Sequence, residues 1–271
     1  MSAPSDIGKP PPIRVDLGGE TPIGEPIPAA KVLGREPLRA PLPKRFYKLA
    51  TVSAEGPPFR ILLDGRQLKT PKKQTLAVPN LGLADAVAVE WSAQATHIDP
   101  ATMPLTRMAN TALDGVVGNE DALRADIAAF AMSDLLCYLA DGPDRLVFEQ
   151  TTRWSPVLDW AARRLDCRFQ LTEGIMPVAQ PEAIRAAVVA ALATAGAFQL
   201  TSLHVVTTLT GSALLALAVA ERQLDAESAW AAAHVDEDFQ IAQWGWDTEA
   251  RARRAFRWTE MQAAARMLAL T

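Results

Sequence analysis

Cysteine is nearly missing from this chain: Cys137 and Cys167 are the only two among 271 residues, and they form no CxxC pair. That excludes a disulfide scaffold and a cysteine-built zinc site, and it fits a reducing compartment. Histidine is almost as scarce, with His97, His204 and His234 far apart in sequence. No Walker A sequence, no GxGxxG after a strand, no GxSxG elbow and no HExxH occurs, so the common catalytic signatures are lacking. A basic excess is lacking too. The balance of 27 Lys and Arg against 31 Asp and Glu leaves a formal net charge of −4, which argues against a dedicated nucleic-acid binder. Met1–Glu25 has no apolar core of the signal-peptide kind and contains Asp6, Asp16, Glu20 and Glu25. Mitochondrial presequences are Arg-rich and poor in acids, so the expectation is a soluble cytoplasmic protein.

What is present is apolar content. Hydrophobic residues make up 49% and charged residues 21%, enough for a sizeable core, and the length favours two domains. Residues 1–43 hold 10 of the 20 prolines and 5 of the 15 glycines. Such a segment buries too little apolar surface to offset its ordering entropy and reads as an extended or disordered arm. The alternative is an arm that drapes over the folded body through Ile13, Val15, Leu17, Val32 and Leu33. Residues 44–80 read as a small antiparallel β domain: strands at 45–52, 59–63, 66–69 and 75–78, with Asp64-Gly65 as a two-residue hairpin turn. Residues 81–271 then read as a multihelical domain without a convincing strand. Helices are expected over 81–96, 105–118, 120–140, 150–166, 181–195, 200–221, 225–243 and 247–269, several with Asp or Pro start signals. In the last of them Ala252, Phe256, Thr259, Ala263, Met267 and Leu270 trace one apolar face. The predicted class is α+β: an antiparallel β-meander followed by a larger helical domain.

Phe198–Ala220 carries no Asp, Glu, Lys or Arg over 23 residues, long enough to span a bilayer. It nevertheless contains many Ser, Thr and Gln and lacks flanking aromatic anchors, so a central buried helix is the preferred reading. Its hydroxyls can bond carbonyls one turn back. His204 inside it reads as a core imidazole, and Cys137 as an inert buried thiol. The acidic run His234-Val235-Asp236-Glu237-Asp238-Phe239-Gln240 is the one cluster with chemical potential. On a helix His234, Glu237 and Asp238 share a face. That leaves three readings: a carboxylate–imidazole metal site, a solvated acidic face, or anchors for a basic patch on a partner. Tryptophans 91, 154, 160, 230, 244, 246 and 258 all lie in the helical region. Most read as core, but Gly245 breaks the helix at Trp244-Gly245-Trp246, and Trp246 suits either packing or binding. Arg251, Arg253, Arg254 and Arg257 on the last helix, and Lys69, Lys72 and Lys73 in a β loop, read as solvated charge.

The motifs also form an ordered set. Arg45-Phe46-Tyr47-Lys48, Leu63-Asp64-Gly65-Arg66, Thr70-Pro71, Glu90-Trp91-Ser92-Ala93-Gln94 and Met103-Pro104-Leu105-Thr106 come first. Trp154-Ser155-Pro156, Thr210-Gly211-Ser212 and Asp236-Glu237-Asp238-Phe239-Gln240 through Trp244-Gly245 follow. Over residues 44–268 this resembles the assembly chaperones that act on the α subunit of the ATP synthase catalytic sector. The resemblance implies a non-enzymatic protein, with no cofactor, metal, small-molecule substrate, nucleic acid or membrane insertion. Its implied work is to bind unassembled α subunit, shield that subunit's interface from aggregation, and hand it to the β subunit. It also implies that a function-sensitive acid lies in the motif, carried to Glu237 with Asp238 as the neighbouring alternative. Asp236, Gln240 and Trp246 complete the candidate partner-binding set. Trp246 departs from the pattern, which expects a polar or acidic residue after Trp244-Gly245. Import sequences would occupy the first residues of mitochondrial members. The acid-containing arm here points instead to a bacterial cytoplasmic member, the mitochondrial matrix being the equivalent compartment for organellar ones. The rival readings are a metal-dependent hydrolase using His234, Glu237 and Asp238, a membrane-associated protein using 198–220, and a general holdase with a wide client range.

Overall fold

The computed structural model describes residues 41–174 and 176–271. The expected arm at 1–43, with its apolar positions from Ile13 to Leu33, lies outside the described residues except for its last three.

Four short strands open the fold: β1 (Ala50–Val52), β2 (Phe59–Leu63), β3 (Arg66–Gln67) and β4 (Ala77–Val78). β2 is the hub, antiparallel to β1 through Ala50↔Leu63 and Val52↔Ile61, to β3 through Leu63↔Arg66, and to β4 through Phe59↔Val78. As in the expected meander, the residues flanking β3 and β4 pair, Lys69 bridging Thr75 and Leu76 N donating to Leu68 O at 2.9 Å, but β4 itself pairs with β2. Here the Ile61 amide donates to Leu76 O (3.1 Å) and its carbonyl accepts from Leu68 N (2.9 Å), so β3 and β4 share one edge of β2. The first strand is shorter than the expected 45–52. The Asp64 carboxylate accepts from the amides of Lys48 (3.1 Å) and Leu49 (2.9 Å), which removes them from the ladder. Those bonds hold the Asp64 carboxyl below its ordinary range.

Asn80 turns the chain into α1 (Leu81–Ser92), its side chain capping Leu83 N at 2.9 Å. Next come α2 (Pro104–Thr111), a wider turn over Ala112–Val116 that ends the expected 105–118 helix early, and α3 (Glu120–Ala131). The expected 120–140 helix stops there because Asp134 starts a tight turn at 135–137. Two residues, β5 (Tyr138–Leu139), then pair in parallel with β6 (Thr172–Glu173), a strand pair too short to leave any periodicity in the sequence. α4 (Asp144–Leu165) begins six residues before the expected 150, and α5 (Glu182–Ala191) follows. The expected 200–221 helix is two, α6 (Ala197–Thr210) and α7 (Ala213–Ala220). Gly211 at φ 68° ends the first, and Ser212 caps the second through Leu215 N at 3.0 Å. The expected 225–243 helix likewise divides at His234 into α8 (Ala226–Ala233) and α9 (Val235–Trp244), before α10 (Thr248–Leu270).

The architecture is α+β. Ile61, Leu76 and Val78 of the sheet pack into the same apolar interior as Leu83, Val87, Met108, Leu214 and Met261. α6 and α7 form its centre, with Leu200, Val205, Val206, Leu214 and Leu215 wholly buried. Several of their hydroxyls bond one turn back as anticipated, Thr201 donating to Ala197 O and Thr210 to Val206 O, both at 2.7 Å, whereas the buried Thr207 Oγ1 has no partner among the described residues. Among the described residues no helix is long and apolar enough to cross a membrane. His204 is only half-satisfied: Nε2–H donates to Asp126 Oδ2 at 2.8 Å, while the buried Nδ1 has no partner among the described residues. Burial and the nearby Asp134 charge push the Cys137 thiol up to about 12, so it is inert at neutral pH. In α10 the expected apolar stripe fails at its start, where Ala252, Phe256 and Thr259 are exposed. The buried positions are Glu260, Met261, Ala263, Ala264 and Met267, with Glu260 ion-paired to Arg107 of α2.

One capping interaction explains why two distant motifs occur together. α2 has no cap from its own Met103, and the Glu90 carboxylate on α1 takes that role. It accepts from Leu105 N (2.7 Å), Thr106 N (2.8 Å) and Thr106 Oγ1 (2.7 Å). Glu90→Ala would leave those donors unpaired in a largely buried place. The expected loss is about 2 kcal/mol of folding stability, read from the midpoint of urea unfolding. An unchanged midpoint would mean that the carboxylate does not hold the start of α2.

Candidate functional site

The acidic helix α9 is seated by α4. Trp154 on α4 is wholly buried and its indole N–H donates to Ala232 O at 2.8 Å, one turn before α9 starts. One turn earlier on α4, Gln150 Oε1 accepts from Ala140 N (2.7 Å) while its Nε2 donates to Asp236 Oδ1 (2.6 Å). His234, between α8 and α9, donates Nδ1–H to Trp230 O at 2.8 Å and stacks on the Trp230 ring at 3.8 Å between centroids. Burial lowers its pKa below the ordinary value, so the ring is neutral at neutral pH.

This seating sorts the acids. Asp236 faces α4 and belongs to the scaffold. Glu237 and Asp238 face α10, where Arg254 lies between them, its Nη2 2.5 Å from Asp238 Oδ1 and its Nη1 3.5 Å from Glu237 Oε2. The same guanidinium sits 5.4 Å from the centre of the Trp246 ring. The result is a clamp in which one arginine joins α9, α10 and the connecting Trp246. Both carboxylates are about half-exposed, so the pairs add at most about 1 kcal/mol to stability. Their effect is to fix where the charges point. Gln240 is exposed and borders a hollow of about 430 Å³ with Phe239, Trp244, Pro143 and Leu146. Trp244 is 73% exposed and Trp246 47%, and Gly245 at φ 82° separates them.

All five candidates, Asp236, Glu237, Asp238, Gln240 and Trp246, therefore lie on or just after one helix, but they do not act alike. Asp236 is tied inward, Glu237 and Asp238 are shared by Arg254, and Gln240 is free to solvent. The carboxylate–imidazole grouping of the sequence does not assemble. His234 bonds and stacks on Trp230, the two acids turn to Arg254, and no group of three metal-ligating side chains exists among the described residues. Arg254 itself was legible only as one of four arginines on a solvated face. In fact its side chain is 14% exposed, and Arg257 donates to Leu209 O at 2.8 Å. The pairing partners lie 16 and 17 residues apart across a break, where no helical spacing rule reaches.

With this geometry in place, the relatives decide the class. The family model of the ATP12 chaperone protein matches residues 44–162. The solved Atp12 of Paracoccus denitrificans is 41% identical, with TM-score 0.79 over 84% of this chain and 98% of that one. The chain belongs to the ATP12 chaperone family. A second solved structure, of the Atu1473 protein of Agrobacterium tumefaciens, is 46% identical with TM-score 0.80, covering 88% of this chain and 92% of that one. Mitochondrial atp12 of Schizosaccharomyces pombe is 22% identical over 221 residues, 77% of this chain and 76% of the yeast protein.

Several of the motifs that carried the ATP12 resemblance turn out to hold the fold. Arg45 donates to the carbonyls of Tyr47, Lys48 and Gln94, and Tyr47 Oη donates to Trp91 O at 2.6 Å. Thr70 Oγ1 donates to Asp114 Oδ1 at 2.6 Å, fastening the β loop to the turn after α2. Other members of these motifs face outward, among them Phe46, Arg66, Asp238, Gln240 and Trp244.

Proposed function

We propose that this ATP12 family member is a non-enzymatic assembly chaperone that binds the unassembled α subunit of the ATP synthase catalytic sector. It shields that subunit's interface from aggregation and releases it to the β subunit. Work of this kind needs surface rather than chemistry. An unassembled subunit exposes apolar area that drives aggregation, and a protein that covers it shifts the balance by mass action without consuming ATP. The observation that supports the α9 face as the contact is the conjunction on it of two oriented, half-exposed carboxylates with the exposed indoles of Trp244 and Trp246. Tryptophan is a favoured anchor at protein interfaces, and fixed charges set register and partner choice. The place of action is the bacterial cytoplasm, for which the mitochondrial matrix is the counterpart.

The test is a pull-down with the tagged chain from a lysate of its own cells. Enrichment of ATP synthase α subunit without matching β subunit is the expected result, and a broad mixture of unfolded proteins would replace this reading with a general holdase. Glu237→Lys refines it. Asp238 still pairs with Arg254 in that variant, so folding stability should change by about 1 kcal/mol or less. Capture of the α subunit should fall at least about tenfold. Normal capture by a folded Glu237→Lys chain would remove Glu237 from the contact.

A further inference from the structure

Charge is unevenly divided along the chain. Residues 44–80 carry eight Lys and Arg against Glu55 and Asp64, whereas residues 81–271 carry 14 against 24. The sheet is thus a cationic body on an anionic one. Among the described residues, Arg60 is the one cation of those eight that is ion-paired, to Glu55 at 2.5 Å. On this body lies a hollow of about 630 Å³ with an apolar floor of Tyr47, Leu63 and Leu68 and a rim that includes Phe46, Arg66 and Lys69. Phe46 is 74% exposed, nearby Leu49 is 60% exposed, and Arg66 and Lys69 are exposed. Asp64 also borders the hollow, but its carboxylate is engaged by the amides of Lys48 and Leu49.

We infer that this hollow is a second docking site, distinct from the α9 face, that takes a short acidic polypeptide segment bearing an aliphatic or aromatic side chain. The apolar side chain enters beside Phe46 over the Tyr47–Leu68 floor, and the flanking carboxylates meet Arg66 and Lys69. Charge complementarity selects the sign of the partner. Two observations favour a short peptide over a long polyanion. The anionic remainder of the chain repels an extended nucleic acid or a charged membrane surface. Arg45 is spent on backbone carbonyls and on the Tyr47 ring, 4.7 Å away, which leaves Arg66 as the one guanidinium among the described residues that line the hollow, too few to track a phosphate backbone.

The test uses the full chain and a fluorescein-labelled, capped octapeptide of alternating Glu and Leu, read by fluorescence anisotropy at low and high salt. A Lys/Leu peptide of the same length and a single-stranded dT oligonucleotide are the comparators. Salt-sensitive binding of the Glu/Leu peptide at least about tenfold tighter than either comparator is expected. Arg66→Glu with Lys69→Glu, and separately Phe46→Ser, should each weaken it about tenfold. These side chains are exposed, so circular dichroism should show the fold unchanged, while Glu237→Lys should bind the peptide normally. Equal binding of the Lys/Leu peptide, stronger binding of the oligonucleotide, or wild-type affinity in the charge-reversed chain would each overturn the inference. Because the peptide assay does not involve the α subunit, failure here and failure of the α9 reading are separately visible.

Discussion

Trp154→Ala should remove about 3–5 kcal/mol of folding stability, the range for truncating a large aromatic side chain in a packed core. Trp154 has no exposed surface and sits in the main apolar interior. The structure cannot collapse fully around the space left, so lost burial and a residual cavity add together. A polar cost adds to both. The indole N–H donates to Ala232 O, and without it a carbonyl at the end of α8 loses its partner. Trp154→Phe separates these contributions, since it retains much of the volume and loses the donor, with an expected loss of about 1–2 kcal/mol. Urea unfolding of both variants measures the difference. A loss below about 1 kcal/mol in Trp154→Ala would show that α4 does not support the α8–α9 junction. A variant that stays folded at low temperature should also lose α-subunit capture, because the anchor one turn before α9 is gone.

The part of the fold legible in the sequence is the part written in local patterns. Asp64-Gly65 marked the hairpin, Asp225 and Asp247 marked helix starts and cap Ser228 N and Ala250 N as such residues should. The apolar run at 198–220 marked a central buried element. What stayed hidden depends on contacts between distant positions. Nothing near Gly211 showed that its positive φ would divide that element, because a glycine inside a helical pattern is also tolerated without a break. The exposed start of α10 misled for a similar reason: Ala252 and Phe256 keep helical spacing but are exposed. The candidate site divides in the same way. The acidic run was visible, but the assignment of Asp236 to α4 and of Glu237 and Asp238 to Arg254 needs three helices in place. Periodicity gives a helix its face, and it does not say which neighbour that face will meet.

Asp134 drew no attention in the sequence, yet its replacement is expected to be among the most costly. It is wholly buried, with Oδ1 accepting from Leu136 N and Oδ2 from Leu214 N, each at 3.1 Å. One carboxylate thus starts the turn at 135–137 and the helix α7, and Leu135 N adds a bond to Gly211 O at 3.2 Å. Asp134→Ala orphans those amides in the core, with an expected loss of about 2–4 kcal/mol. The pH dependence identifies the cause. Burial, opposed by the hydrogen bonds, raises the Asp134 carboxyl from 3.8 to about 6. The folded chain therefore holds this proton more tightly than the unfolded chain does. The contribution of that proton is full below about pH 4, declines as pH rises from about 4 to about 6, and is gone above that. The stability gap between wild type and Asp134→Ala should then be wider at pH 4.5 than at pH 7.5, by about 2 kcal/mol. Taking the difference between the two chains cancels the other carboxylates, most of which titrate the opposite way. A gap that widened with rising pH instead would mean that Asp134 is held as a low-pKa anion, stabilised by the α7 amides more than it is penalised by burial.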